Sequence, residues 1–182
     1  MITKKTWEIL SQKQAELGQL IMEKNPTDLQ WISRFNAERL KLCLLVEIGE
    51  FANEIKSFKA WRKKTEINLD KTREELIDCL CFFFDLSNLF QVEPKDLSVA
   101  NEKKEWHYNK LLLKLFQITN DLPIIEKEDW YNSKQIKLTE PGIYYEWLKI
   151  FGIFCEKLQI DEAELLTIYL QKNKKNQVRA KE

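Results

Sequence analysis

Two short motifs place carboxylates where a buried helix would carry leucines. Glu47-Ile48-Gly49-Glu50 lies inside the run LLVEIGEFANEIKSF, and Glu75-Leu76-Ile77-Asp78 leads into LIDCLCFFF. Acids three residues apart project from one side of a helix. The offset between the motifs is the same for both members, from 47 to 75 and from 50 to 78. Two helices joined by a short turn would therefore bring all four acids together. Converging carboxylates repel one another, and an ionised acid is costly to bury without a partner. Lys56 and Lys59 come after the first motif rather than within it. A hard divalent cation resolves the repulsion, and an all-oxygen donor set suits Mg²⁺. Clusters of this kind serve mainly phosphate chemistry.

Near the C-terminus, Lys172, Asn176 and Arg179 fall at i, i+4 and i+7, one stripe of a helix, with Tyr169 a turn earlier. Cations and an amide on one stripe suit a polyphosphate, Arg as a bidentate fork and Lys as a point charge.

Other chemistries find no support. There is no glycine-rich phosphate loop and no GKS or GKT. His107, the single histidine, is read as a surface or packing residue, which excludes a histidine-rich phosphohydrolase centre. Cys43, Cys79, Cys81 and Cys155 lack CxxC spacing and sit in apolar patterns, as reduced thiols of a cytoplasmic protein do. The 29 basic and 29 acidic residues cancel, so no overall charge draws the chain to nucleic acid or membrane, and KNKKNQVRAK is too short a basic run to change that. No apolar run approaches the roughly 20 residues that span a bilayer. The stretch MITKKTWEIL lacks the apolar core of a signal peptide.

The elements that must position these residues are helical. Only four glycines and four prolines occur in 182 residues, and apolar spacings of three and four dominate throughout. The pattern predicts a first helix over 7–24, ending at Asn25-Pro26. A second runs from 27 or 33 to 63, with Leu42, Leu45, Ile48, Ala52, Ile55 and Phe58 facing the core. A third, capped by Asp70, extends to 89. The fourth begins at Pro94 and ends near 118. Residues 119–138 read as a loop or insertion. A fifth helix starts near Thr139-Glu140-Pro141, and Asp161 with Glu164 forms a capping box for a sixth. Residues 1–182 are expected to form one all-α domain.

With these segments in order, the chain resembles the dimeric dUTPase branch of the MazG-like, all-α nucleoside triphosphate pyrophosphatases. EIGEFANEIKSFKAW resembles that branch's first metal helix, including its Phe-Lys-x-Trp as Phe58, Lys59 and Trp61. EELIDCLCFFF resembles the second, and YLQKNKKNQVR the family's C-terminal segment. Gln14, in QAEL, matches a glutamine associated with uracil recognition. The resemblance implies a helical bundle of about six helices around a four-helix metal-binding core, assembled as a homodimer, and Mg²⁺-dependent hydrolysis of dUTP to dUMP and pyrophosphate. Glu47, Glu50, Glu75 and Asp78 would hold two or three Mg²⁺ ions. Glu50 is the first choice, and Glu47 the second, for positioning or deprotonating the attacking water. Lys59, Lys172 and Arg179 would neutralise phosphate charge, with Asn176 beside them on the same stripe. Gln14 would read the base, and Trp61 or Phe82 would wall the pocket.

Two departures bear on the substrate. Gly18 stands four residues after Gln14, where the family carries Asp or Asn. The family's tail continues past the arginine with a Gln and a later Gly-Tyr, whereas here Ala180-Lys181-Glu182 follows. A dCTP or broad-specificity dNTP pyrophosphatase, and a helical module that binds a regulator, are the alternatives.

Overall fold

The computed structural model describes residues 2–24, 36–62, 66–98, 103–124 and 141–181. Six helices hold these residues: α1 (Lys4–Lys24), α2 (Asn36–Ile55), α3 (Leu69–Leu89), α4 (Tyr108–Asp121), α5 (Gly142–Lys157) and α6 (Glu162–Arg179). The one strand-like contact among them is a single antiparallel bridge from Ile2 to Leu97. The expected all-α architecture is what the structure contains. No helix among the described residues is long and apolar enough to cross a membrane.

Helix α3 is the centre of the bundle. Its buried residues (Leu76, Ile77, Leu80, Phe83, Phe84 and Leu86 among them) surround the helix instead of forming one stripe, as expected when neighbours cover most sides. Helix α2 runs antiparallel to it: Glu54 bonds Lys71 near one end of the pair, and Glu47 meets Asp78 two turns further along. Ser11 and Asn88 tie α1 to α3, Asn88 Nδ2 donating to the Ser11 carbonyl at 3.0 Å. From α5, Trp147 stacks on Phe83 at 4.3 Å and donates its indole N–H to Thr119 of α4 at 2.9 Å. Arg73 of α3 donates to the Leu158 carbonyl at 2.8 Å and to Glu164 at 2.9 Å, fixing the turn between α5 and α6. The clip sets where α6 lies, and so where its basic stripe lies.

Several boundaries differ from the sequence reading. Helix α2 ends at Ile55 instead of continuing to 63, because Lys56 adopts a left-handed conformation (φ 61°) and closes the helix. Residues 25–35, where its start was expected, are outside the described set. Its buried stripe is Leu40, Leu44, Ile48, Phe51 and Ile55; Leu42 is 62% exposed, and Phe58 lies beyond the helix on the surface. Asn68, not Asp70, caps α3, its side chain accepting from the Lys71 N–H at 3.1 Å. Helix α4 starts at Tyr108, and Pro94 precedes it in an extended segment paired through Leu97 to Ile2. It continues to Asp121, which takes Thr119 out of the expected 119–138 loop and into the core. Residues 125–140 are outside the described set. Asp161 caps α6 as expected, accepting from the Glu164 N–H at 2.8 Å, but Glu164 turns its carboxylate to Arg73 rather than back to the cap.

Candidate active site

The seam between α2 and α3 brings together acids from both motifs. One carboxylate oxygen from each of Glu47, Glu75 and Asp78 lies within 4.8 Å of the other two. Ile48 and Phe51 on α2, with Leu76, Ile77 and Leu80 on α3, turn inward to the core. The helical period then leaves the three acids half-buried at the edge of the seam. Glu50 is not one of this group: it is exposed on α2, although its charge still acts on all three.

All three carboxyls are held above their ordinary range. Burial raises Glu47 to about 7, with repulsion from Asp78, Glu50 and Glu75 adding to it. Burial, then the charges of Asp78 and Glu50, raise Glu75. Burial raises Asp78 as well, against the pull of a hydrogen bond from Lys172. That ammonium, reaching over from α6, lies 2.7 Å from Asp78 Oδ2 and 3.0 Å from Glu74 Oε1. Burial works against the Lys172 charge, but its bonds to the two acids outweigh this and hold its pKa above the usual lysine value. A set of hard oxygen donors this close, short of positive charge, fits a small divalent cation such as Mg²⁺. Glu54, on the same helix, belongs to a different arrangement: Lys71 at 2.9 Å and Lys56 at 3.6 Å pair with it, and Lys71 foremost holds its pKa down.

The residues expected to meet substrate are less tightly gathered. Lys172 on α6 faces this side; Asn176, four residues on, is likewise half-buried, and Arg179 is exposed as the last residue of the helix. Lys59 and Trp61 sit in the turn after α2. The Lys59 ammonium is 5.3 Å from the Phe58 ring, and Trp61 is 75% exposed, so its indole lies in solvent rather than against the acids. Phe82, one turn beyond Asp78 on α3, is partly buried against the core. Gln14 is buried, its Nε2 donating to Asp85 Oδ2 at 3.0 Å and its Oε1 accepting from the Tyr169 hydroxyl at 2.7 Å.

Asp85 and Glu74 were missed in the sequence reading. Asp85 carries the same signal that marked Asp78, an acid among apolar residues (FFFDLSN) on the same face of α3 seven residues on. Burial raises its carboxyl to about 7, against the hydrogen bond from Gln14 and the charge of Arg39. Glu74 has no such signature, because its neighbours in sequence are charged; only the approach of Lys172 and Lys175 marks it.

Comparison with known proteins bears on what this arrangement is for. A family model described as dUTPase matches residues 6–182. Two proteins of Borreliella burgdorferi, from strains ZS7 and B31, are both described as dITP/XTP pyrophosphatase. Each is 30% identical to this chain over 107 residues, covering 58% of this chain and 53% of its own. The chain thus spans about half the length of the curated relatives it matches.

Proposed function

The chain belongs to the all-α dUTPase family, and on that premise we propose that it hydrolyses dUTP to dUMP and pyrophosphate with Mg²⁺. The observation that carries this reading is the carboxylate group of Glu47, Glu75 and Asp78, oxygens within 4.8 Å, with the Lys172 ammonium against it. These three acids would hold the cation. When bound, Mg²⁺ supplies Lewis acidity toward phosphate oxygens and makes water more acidic.

The protein's own side chains would do the rest. Glu50, outside the triad yet near enough for its charge to act on every member, is the acid available to orient the attacking water, with Glu47 second. Lys172 would exchange its carboxylate partners for phosphate oxygens, and Arg179 and Asn176 further along α6 would extend the contact down the polyphosphate. Lys59 and Trp61 would reach the nucleotide only if their turn closes over it, since Trp61 now stands in solvent. A homodimer fits the outer face of α2, where Leu42 and Val46, one turn apart, are 62% and 51% exposed.

A broader dNTP pyrophosphatase is the second reading, favoured by the Borreliella relatives' description and by the open space at Gly18, where an added Cβ meets no heavy atom within 4 Å. Pyrophosphate release from dUTP, dCTP, dTTP, UTP and dITP, each with Mg²⁺ and with EDTA, separates the two. Metal-dependent turnover confined to dUTP supports the first. Comparable rates on several nucleotides support the second, and no release from any of them removes both.

A further inference from the structure

Beyond the acids that would grip phosphate, a second polar group is built into the interior. It lies seven residues past Asp78 on α3, about 10 Å along the helix axis and on nearly the same side. That is the order of distance from a nucleotide's phosphates to the far edge of its base. Here the Tyr169 hydroxyl of α6 donates to Gln14 Oε1 at 2.7 Å, and Gln14 Nε2 donates to Asp85 Oδ2 at 3.0 Å. Gln14 and Tyr169 are both buried.

An amide side chain offers two N–H donors and two carbonyl lone pairs. One of each is used by Asp85 and Tyr169, which leaves Gln14 with one donor and one acceptor. A free glutamine could rotate by half a turn and exchange them. A carboxylate cannot donate, so rotation would set two oxygens against each other in a poorly solvated place. The tyrosine hydroxyl imposes no such order, since it donates or accepts equally well. Asp85 is therefore the member that decides which way round the amide stands.

We propose that the Asp85 carboxylate is a positioning residue that fixes the hydrogen-bond polarity of Gln14 and thereby sets the choice between uracil and cytosine. The two bases differ in this order: uracil presents a carbonyl next to a ring N–H, and cytosine an amino group next to a bare ring nitrogen. An amide held one way matches one of them and opposes the other, and such a mismatch of buried polar groups discriminates far more strongly than a difference in size. The inference rests on the pyrophosphatase reading, with Gln14 at the base.

The test compares kcat/KM for dUTP and dCTP in the wild type, Asp85→Asn, Gln14→Met and Tyr169→Phe. Assays run well above the pH at which Asp85 titrates, and helicity is followed by circular dichroism. Asparagine can both donate and accept, so Asp85→Asn frees the amide. The dUTP-to-dCTP ratio is expected to fall by about tenfold or more, carried mainly by KM, with the helical signal kept. Gln14→Met should lose at least as much selectivity, and Tyr169→Phe less, because the bond to Asp85 remains. A ratio in Asp85→Asn within about twofold of a selective wild type overturns the inference and leaves the pyrophosphatase reading intact. Should that variant fail to fold, an unchanged ratio in Gln14→Met overturns it equally. A wild type that uses dUTP and dCTP alike also overturns it, whereas a wild type that hydrolyses no nucleotide overturns both.

Discussion

The Lys172 ammonium, 94 residues along the chain from Asp78, donates to Asp78 Oδ2 at 2.7 Å and so supplies positive charge to the acid cluster across α3 and α6. A divalent cation on Asp78 would compete with it, and a polyphosphate would draw it away. Lys172 thus acts as a counter-ion to Asp78 and Glu74; on the proposed function, loading the site would release it to bind anionic oxygens.

Lys172→Met keeps the aliphatic stem and removes the charge. Without metal, Asp78 and Glu74 lose a charged hydrogen-bond donor, and unfolding free energy should drop by about 1–2 kcal/mol. Saturating Mg²⁺ should restore most of that loss, because the cation replaces the missing charge, while kcat/KM for nucleotide falls. Thermal unfolding with and without Mg²⁺ measures the difference; an equal deficit in both conditions would assign Lys172 a purely structural place.

The metal-free protein should become less stable as pH rises. Glu47 moves from an ordinary 4.5 to about 7 on folding, so the native state holds its proton more tightly than the unfolded chain does. The associated stability is fully present below the unfolded value and is lost as pH climbs through the folded one. Asp85, also raised to about 7, adds in the same direction. Urea midpoints taken between about pH 5 and 8 should therefore decline without metal. Mg²⁺ should flatten the decline, and Glu47→Gln should remove part of it. Midpoints that rise over this window would mean that the acids are compensated by charges other than those identified.

The acids could be read from sequence because burial leaves a local mark: Glu47, Glu75 and Asp78 each interrupt apolar spacing on a helix. The same mark at Asp85 stands singly in FFFDLSN, without a second acid three residues away to make a motif of it. What covers the acids left no such trace. Lys172 reaches Asp78 because α6 is docked by distant residues, Arg73 at the α5–α6 turn and α1 through Tyr169 and Asn173. The early end of α2 was equally hidden: a lysine, not a glycine, adopts the left-handed conformation there. Of the expected core stripe, Ile48, Ala52 and Ile55 are buried, whereas Leu42 faces outward and Phe58 falls beyond the helix end.

Arg73 gives that argument a handle. Its guanidinium bonds the Leu158 carbonyl at 2.8 Å and Glu164 at 2.9 Å, and Arg73→Met leaves both without it. The expected cost is about 2 kcal/mol of stability. Because α6 would then dock less firmly, the coupling between Mg²⁺ and Lys172 should weaken too. A double-mutant cycle of Arg73→Met with Lys172→Met, read by unfolding with and without Mg²⁺, should show non-additive losses; strict additivity would separate the clip from the site.

Arg179 tests how far along α6 the polyphosphate contact runs. It is exposed in the last turn of the helix, so its loss should leave unfolding unchanged to within about 0.5 kcal/mol. It shares a stripe with Lys172 and Asn176, and a guanidinium at that distance could meet only the far end of an extended substrate. Arg179→Ala is therefore expected to lower kcat/KM for the triphosphate about tenfold, mainly through KM. Affinity for the monophosphate product, which lacks that far end, should hardly change. Lys174→Ala, an exposed cation five residues earlier on another side of α6, provides the control for general charge loss. Equal effects of the two substitutions, both relieved by salt, would reduce the role of Arg179 to long-range attraction; a loss confined to Arg179 and to the triphosphate would place the end of the substrate at the end of α6.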